Sequence, residues 1–389
     1  MAAVAAFKKI LGAPLGWAMA AERLLSGRRF VPDSTAVSSV LVLEYMMPLG
    51  CLVHMTPVFE AIKAERPQVV ITVATRGLGA AVLRHNPCVD HVLETPDALR
   101  DTRGAAQSIR AALRQLRLVP DCVLTGSSDQ RSRIAVVALL SRAGWRGGFT
   151  LLRQTYQRRL EYDASKSLID NNLRLAGLVG CTDSHHEPRV YFSGADVEKA
   201  HELVRETNPK GRPLVVMVTQ NSGGQRTGWH QERFAEVIRY ADEVLGCCVV
   251  FVGTAADTAP VEVLRSVAGG ESVTGRTSVT ELAALLAMSD AMVTLDTGTM
   301  HVGRAVGVPM VVIGPSWQKP LEWLPLGMSQ VRILRGEDRA EIPEGYQLDE
   351  VEAPQVMDAL RELLTVYPAS VESRVARVTG GLSGVDHRA

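Results

Sequence analysis

Neither sign of charge is in excess in this chain: 42 lysines and arginines stand against 42 aspartates and glutamates. With a mean hydropathy near zero, that balance excludes the basic footprint of a nucleic-acid binder and reads as a soluble globular protein. Long apolar runs are missing too. No run of 18 apolar residues is free of charge, so no helix is expected to span a membrane. The six cysteines (Cys51, Cys88, Cys122, Cys181, Cys247 and Cys248) include no C-x-x-C pair, and several lie in strand-like apolar runs. This excludes a disulfide framework and fits reduced thiols in a cytoplasmic protein. His185-His186, with Asp183 and Glu187, lacks a further ligand at metal spacing, so it reads as a surface loop and no metal is expected. Gly77-Leu78-Gly79 lacks the third glycine of a dinucleotide fingerprint, and no acidic residue ends the next strand convincingly. No cofactor is expected.

What is present is alternation. At 389 residues the chain exceeds what one hydrophobic core usually serves, so two domains are the expectation. Val40-Leu41-Val42-Leu43, Val69-Val70-Ile71-Thr72-Val73, His91-Val92-Leu93 and Asp121-Cys122-Val123-Leu124 read as strands, with a loop over residues 44–51 and helices to 64 and over 79–84. A polar, proline-bearing stretch at 183–189 reads as a linker. The pattern then restarts with strands at 214–218, 248–252, 291–295 and 331–334 and helices at 231–245, 282–288 and 354–364. Ser278-Val279-Thr280-Glu281 is a capping box. Strands separated by helices indicate parallel, doubly wound sheets, whose ligands lie beyond the carboxyl ends of the strands. The fold class is therefore α/β, two Rossmann-like domains facing a central cleft. The expected boundaries are an amphipathic extension at 1–38, a first domain at 39–186, a second at 187–366 and a flexible, polar tail at 367–389. Residues 1–30 mix Lys8, Lys9, Arg23, Arg28 and Arg29 with Phe7, Leu11, Trp17 and Leu25. Such a segment either lies on an anionic membrane face or packs as an ordinary extension.

The richest stretch is 291–316: a buried strand, the turn Asp296-Thr297-Gly298-Thr299, a short helix carrying His301, and a second buried strand. Amides at a helix N-terminus point outward unpaired, so the turn reads as a cradle for a phosphate or diphosphate. Equally, Asp and Thr there could be ordinary helix caps. Gly307-Val308-Pro309 ends the helix.

Over residues 39–366 the order of motifs resembles glycosyltransferase family 9, the ADP-heptose:lipopolysaccharide heptosyltransferases of GT-B arrangement. The resemblance rests on Leu49-Gly50 with Thr56-Pro57, Asn86-Pro87-Cys88-Val89-Asp90, Trp229-His230-Gln231-Glu232-Arg233-Phe234 and, above all, Asp296-Thr297-Gly298-Thr299-Met300-His301, which matches the D-T/S-G-x-x-H signature. It implies an inverting transfer of a heptose-like sugar from a nucleotide-diphospho-sugar, ADP-heptose by default, to a lipopolysaccharide or other cell-envelope acceptor. It places the enzyme in the cytoplasm, peripherally at the inner face of the cytoplasmic membrane. By resemblance, Thr297, Gly298 and Thr299 meet the diphosphate, and Asp296 and His301 the sugar-phosphate region. Ser222 and Thr227 stand in the phosphate loop, where Thr227 replaces the usual lysine. Arg226 beside it is either a guanidinium stand-in or a solvated surface arginine. Asp257 and Thr277 line the nucleotide pocket.

The departure is catalytic. Where the family has Gly-Asp, with the aspartate as general base, this chain has Gly50-Cys51. A neutral thiol is a poor base for a sugar hydroxyl. Either Glu44 or His54 takes the proton, or the protein is a catalytically weakened nucleotide-sugar-binding homologue.

Overall fold

Val40, Leu41, Val42 and Leu43 are each wholly buried, although successive side chains on a strand point to opposite faces. Only a strand covered on both sides tolerates such a run, and that is a parallel strand between helical layers. The computed structural model describes residues 33–34, 36–46, 48–183, 185–221 and 228–383. It divides into two units: the first runs to Pro188, and the second takes Arg84–Asn86 and everything from Arg189.

In the first unit the strands are β1 (Ser39–Leu43), β2 (Val70–Thr75), β3 (His91–Glu94), β4 (Cys122–Thr125), β5 (Trp145–Phe149) and β6 (Arg158–Leu160). All pair in parallel, in the order β3-β2-β1-β4-β5-β6. Leu41 and Leu43 pack on one face against Ile109 and Leu113 of the helix Thr102–Gln115 and Ile134 of the helix Ser132–Leu140. The helices Thr56–Glu65 and Leu168–Leu178 pack together in the same unit. The loop expected over 44–51 is shorter than the sequence implied. A five-residue helix, Leu49–Val53, begins inside it and carries Cys51, and His54 caps its C-terminus.

In the second unit the strands are β7 (Leu214–Val218), β8 (Cys248–Phe251), β9 (Glu271–Ser272), β10 (Ala291–Leu295), β11 (Met310–Ile313) and β12 (Val331–Leu334). Their order, β12-β11-β10-β7-β8-β9, is again parallel throughout and repeats the first sheet's topology. In both sheets the strand order reverses beside the first strand of the unit. Such a switch point leaves a crevice at the carboxyl ends of the two flanking strands, where ligands bind in open α/β sheets. In the first unit it lies after β1 and β4, and in the second after β7 and β10.

Two expectations need correction. The helix expected over 231–245 is α-helical only over Gln231–Arg239 and continues as a π turn, Tyr240–Val244, in which the Leu245 amide donates to the Tyr240 carbonyl. The tail expected to be flexible from 367 contains the helix Val371–Gly381, capped by Ser370, whose hydroxyl accepts from the Ser373 amide at 3.0 Å. Arg374 Nε donates to Asp290 Oδ1 at 2.7 Å, and Arg377 Nε to the Ala287 carbonyl at 3.0 Å. These two half-buried arginines, three residues apart, tie the helix to the residue just before β10 and to the end of the helix Val279–Ala287. The polar composition concealed them.

Candidate functional site

The second unit gathers most of the residues singled out for donor binding at neighbouring strand ends. β10 finishes at Leu295, and Asp296 and Thr297 form the turn into the helix Gly298–Val306. Thr297 is the N-cap, its hydroxyl accepting from the Met300 amide at a long 3.5 Å. The amides of Gly298 and Thr299 precede any carbonyl of their own helix and so face outward. At the far end Gly307 takes φ 76°, the left-handed conformation that a Schellman-type stop requires. The helix therefore begins and ends where the sequence placed it.

Asp296 and His301 are both buried, and burial acts on each in the direction of neutrality. It pushes the Asp296 carboxyl up to about 6. It pushes the His301 imidazole down to about 3, with the Arg304 charge adding to the effect. His301 Nε2 lies 4.0 Å from Asp296 Oδ1, too long for a hydrogen bond. With the imidazole neutral at physiological pH, the pair is no salt bridge. The His301 ring also approaches Trp323, centroid to centroid 6.4 Å at 60°.

Asp257 follows β8 in a short 3₁₀ turn, Ala255–Asp257. Its Oδ2 accepts from the Thr254 amide (2.7 Å) and hydroxyl (2.9 Å). Its carboxylate thus holds the loop shape. Thr277, half-buried, precedes Ser278, the N-cap of the helix Val279–Ala287. The expected capping box is there, with the Ser278 amide donating to Glu281 at 2.6 Å. Because β10, β7, β8 and β9 are adjacent and parallel, the turns after them share one edge of the sheet. Ser222, Arg226 and Thr227, after β7, lie outside the described residues, as do residues 1–30.

The motif at 229–234 has a structural task. Trp229 is buried, meets Phe234 edge-on at 4.8 Å and donates from Nε1 to the Val351 carbonyl at 2.8 Å. His230 pairs with Asp349, and Arg233 donates to the carbonyls of Asp349 and Val351 and to Glu352.

In the first unit Glu44 follows β1 directly and is buried. Its Oε1 accepts from the Met46 amide at 3.1 Å. Loss of water raises its proton affinity, the Asp129 charge raises it further, and the Met46 amide and Arg131 oppose this. The carboxyl is pushed up to about 8. Burial of Cys51, with the Glu44 charge second, pushes its thiol up to about 12. Cys51 is therefore a neutral thiol at any physiological pH. His54 is buried, and its carbonyl accepts from Asn172 Nδ2 at 3.2 Å.

The sequence reading passed over the turn after β4, Gly126-Ser127-Ser128-Asp129-Gln130-Arg131. β1 and β4 are paired with Leu43 opposite Thr125, so Glu44 and Gly126 leave the sheet side by side. A Cβ on Gly126 would stand 3.4 Å from Glu44 Oε2 and 3.5 Å from Asn172 Oδ1. The Asp129 amide closes the turn onto the Gly126 carbonyl, and its carboxylate, fully buried, takes Arg131 Nε at 2.6 Å. Arg131 also reaches the Tyr45 carbonyl. Asn172 Oδ1 accepts from both the amide and the hydroxyl of Ser127. The signal was available in the sequence: four small or acidic polar residues directly after a buried strand adjoining β1.

No group of three or more potential metal ligands occurs among the described residues, and none of their helices is long and apolar enough to cross a membrane.

The family model described as glycosyltransferase family 9 (heptosyltransferase) matches residues 115–346. Lipopolysaccharide heptosyltransferase 2 of Escherichia coli (strain K12) is 24% identical over 337 residues, covering 81% of this chain and 96% of that protein. Among solved structures, a family 9 glycosyltransferase from Veillonella parvula superposes with a TM-score of 0.76 at 22% identity, covering 87% of this chain and 99% of the other. The ADP-heptose lipopolysaccharide heptosyltransferase II of E. coli gives 0.70 at 20%, covering 85% and 100%. Two parallel sheets of Rossmann strand order, the D-T-G-x-x-H turn at the carboxyl end of β10 and a family match across most of the chain converge on one conclusion: this chain belongs to glycosyltransferase family 9 and is a glycosyltransferase.

Proposed function

We propose that this enzyme transfers a heptose-like sugar, with inversion, from a nucleotide-diphospho-sugar to a lipopolysaccharide or related cell-envelope glycan, and that Glu44 is its general base. The observation that carries this reading is the pairing of two features. One is an outward-facing helix N-terminus at Thr297, Gly298 and Thr299. The other is a buried carboxylate at the end of β1, the strand after which the expected aspartate is replaced by Cys51. The relatives named as lipopolysaccharide heptosyltransferases support the substrate class.

In this reading the second unit binds the donor. The amides of Gly298 and Thr299 meet the diphosphate, Asp296 and His301 border the sugar, and Asp257 and Thr277 border the nucleoside. Ser222, Arg226 and Thr227 complete the phosphate contacts. The acceptor hydroxyl attacks the anomeric carbon as the carbon–oxygen bond to the diphosphate breaks. The bonding pair leaves with the diphosphate, whose charge the helix amides stabilise. The hydroxyl proton passes to ionised Glu44. A carboxylate whose proton affinity sits near 8 is a stronger base than an ordinary one, although only about a tenth of it is ionised at pH 7. Cys51 has no part in the proton transfer.

The domain assignment proposed with this function is an acceptor-binding domain at 39–186 and a donor-binding domain at 187–366. Residues 1–30 are proposed as a peripheral contact with the inner face of the cytoplasmic membrane.

The test is transfer itself. Purified enzyme is incubated with ADP-, UDP- and GDP-linked sugars and a deacylated lipopolysaccharide core, and the anomeric configuration of the product is read by NMR. One donor is expected to be used, with the configuration inverted. Tight donor binding without turnover, with every acceptor tried, would instead favour the weakened homologue that Cys51 brings to mind.

A further inference from the structure

The turn after β4 brings a second buried carboxylate to the proposed base. Asp129 is in a fully buried position, ion-paired to Arg131 through Oδ1, while its Oδ2, also buried, has no hydrogen-bond partner among the described residues. Gly126 passes close to Glu44: a Cβ there would stand 3.4 Å from Glu44 Oε2 and 3.3 Å from Met55 Sδ. Arg131 in turn clips the turn to the backbone of Tyr45, the residue after Glu44. Asn172 braces the same turn through Ser127 and reaches across to the backbone of His54. A negative charge held beside a buried carboxyl disfavours the ionisation of that carboxyl.

We propose that Asp129 is a positioning residue for the transfer reaction: its carboxylate, pinned by Arg131 in the turn beside Glu44, favours the protonated form of the Glu44 carboxyl and so strengthens it as a base. This rests on the reading of Glu44 as general base. Its consequence is a stronger base that works at higher pH. The groups to weigh around Glu44 are Asp129 and Arg131 from the turn after β4, Cys51 on the helix Leu49–Val53, which His54 caps, and Tyr45 next in sequence. Asn172 from the helix Leu168–Leu178 is uncharged. Cys51 and Tyr45 stay neutral, both being pushed up to about 12, mainly by burial. His54 is common to every variant below. The electrostatic pattern agrees with the geometry, since the Asp129 charge is the second contributor to the raised proton affinity of Glu44, and Arg131 opposes it.

The experiment reads the Glu44 carboxyl directly. Full-length enzyme labelled with ¹³Cδ-glutamate is titrated by NMR, the Glu44 resonance being identified by its loss in Glu44→Gln. Asp129→Asn is expected to move the midpoint toward acid by about one unit or more, the size of a single neighbouring charge effect. Arg131→Gln is expected to move it toward alkali. The pH profile of transfer should follow with the same signs, and the Asp129→Asn plateau should fall because the base is weaker. A midpoint unmoved by Asp129→Asn, or moved the same way by both substitutions, would overturn the proposal, since a purely structural role lowers activity without moving a titration. If Asp129→Asn fails to fold, Asp129→Ser takes its place, with the same shift toward acid expected. The titration needs no substrate, so it stands even if transfer is never seen. An absence of transfer together with the expected midpoint shifts would refute the proposed function while still showing that the Asp129 charge acts on Glu44.

Discussion

A carboxylate that takes a proton from a sugar hydroxyl must be ionised when the hydroxyl arrives, and burial works against that. Glu44 lies on this trade-off, while Cys51, its thiol pushed up to about 12, lies outside it. Cys51→Ala is therefore expected to leave kcat within a few-fold of wild type in a transfer assay. Cys51→Asp, which restores the family residue, is expected to lower transfer at pH 7. A third carboxylate beside Glu44 and Asp129 would drive the Glu44 proton affinity higher still. A second residue-scale prediction concerns Asp296, whose carboxyl is pushed up to about 6 by burial. As it ionises between pH 5 and 7 it places a negative charge beside the diphosphate. Titration calorimetry with a nucleotide sugar, whose diphosphate does not titrate in that range, should show weaker binding at pH 7 than at pH 5. Asp296→Asn should flatten the dependence. His301 contributes nothing to it, because its imidazole, pushed down to about 3, stays neutral across the range.

At the scale of elements, the C-terminal helix Val371–Gly381 shows what holds the second sheet's margin. Asp290 ends the approach to β10, with its side chain 1% exposed; it accepts from the Leu214 amide and pairs with Arg374, which is 28% exposed. Arg374→Ala would strand that buried charge. The loss is expected to be about 2 kcal/mol, below the 3–5 of a fully buried pair because Arg374 keeps some water, and urea denaturation would read it. This helix also marks what the sequence did not disclose. The apolar runs of β1, β2, β7, β8, β10 and β11 were legible because strands buried on both faces are hydrophobic along most of their length. β5 (Trp-Arg-Gly-Gly-Phe) and β6 (Arg-Arg-Leu) carry glycine and arginine, and nothing in their period separates them from loop. The Nε of Arg146, buried on β5, donates to the Thr155 carbonyl nine residues on, a partner that the strand period does not announce. The D-T-G-x-x-H turn was legible because capping chemistry is local. Asp129 was not, because its meaning comes from β4 lying beside β1, some 80 residues away in sequence.

For the whole molecule, two buried groups shape stability against pH in opposite senses. The folded Glu44 has a raised proton affinity, about 8 against 4.5. Its contribution is full below pH 4.5 and is lost as pH rises through 8. His301 is lowered, about 3 against 6.5, so stability is lost as pH falls from 6.5 toward 3. Glu44→Gln should therefore gain Tm relative to wild type as pH rises from 5 to 9, while His301→Gln should gain relative to wild type as pH falls from 6.5 to 4. Differential scanning calorimetry of the three proteins across that range checks both signs. Fold and activity thus draw on the same buried carboxyl: what weakens the folded state at alkaline pH is what strengthens the base. The most direct test is the pH dependence of kcat/KM for sugar transfer by wild type and Glu44→Gln, with the donor and acceptor found active. A wild-type rate that climbs through about pH 8, with Glu44→Gln ~10²-fold or more below it and donor affinity unchanged, is the predicted result. Transfer by Glu44→Gln at the wild-type rate, with the same alkaline limb, would contradict the assignment of Glu44 as the base.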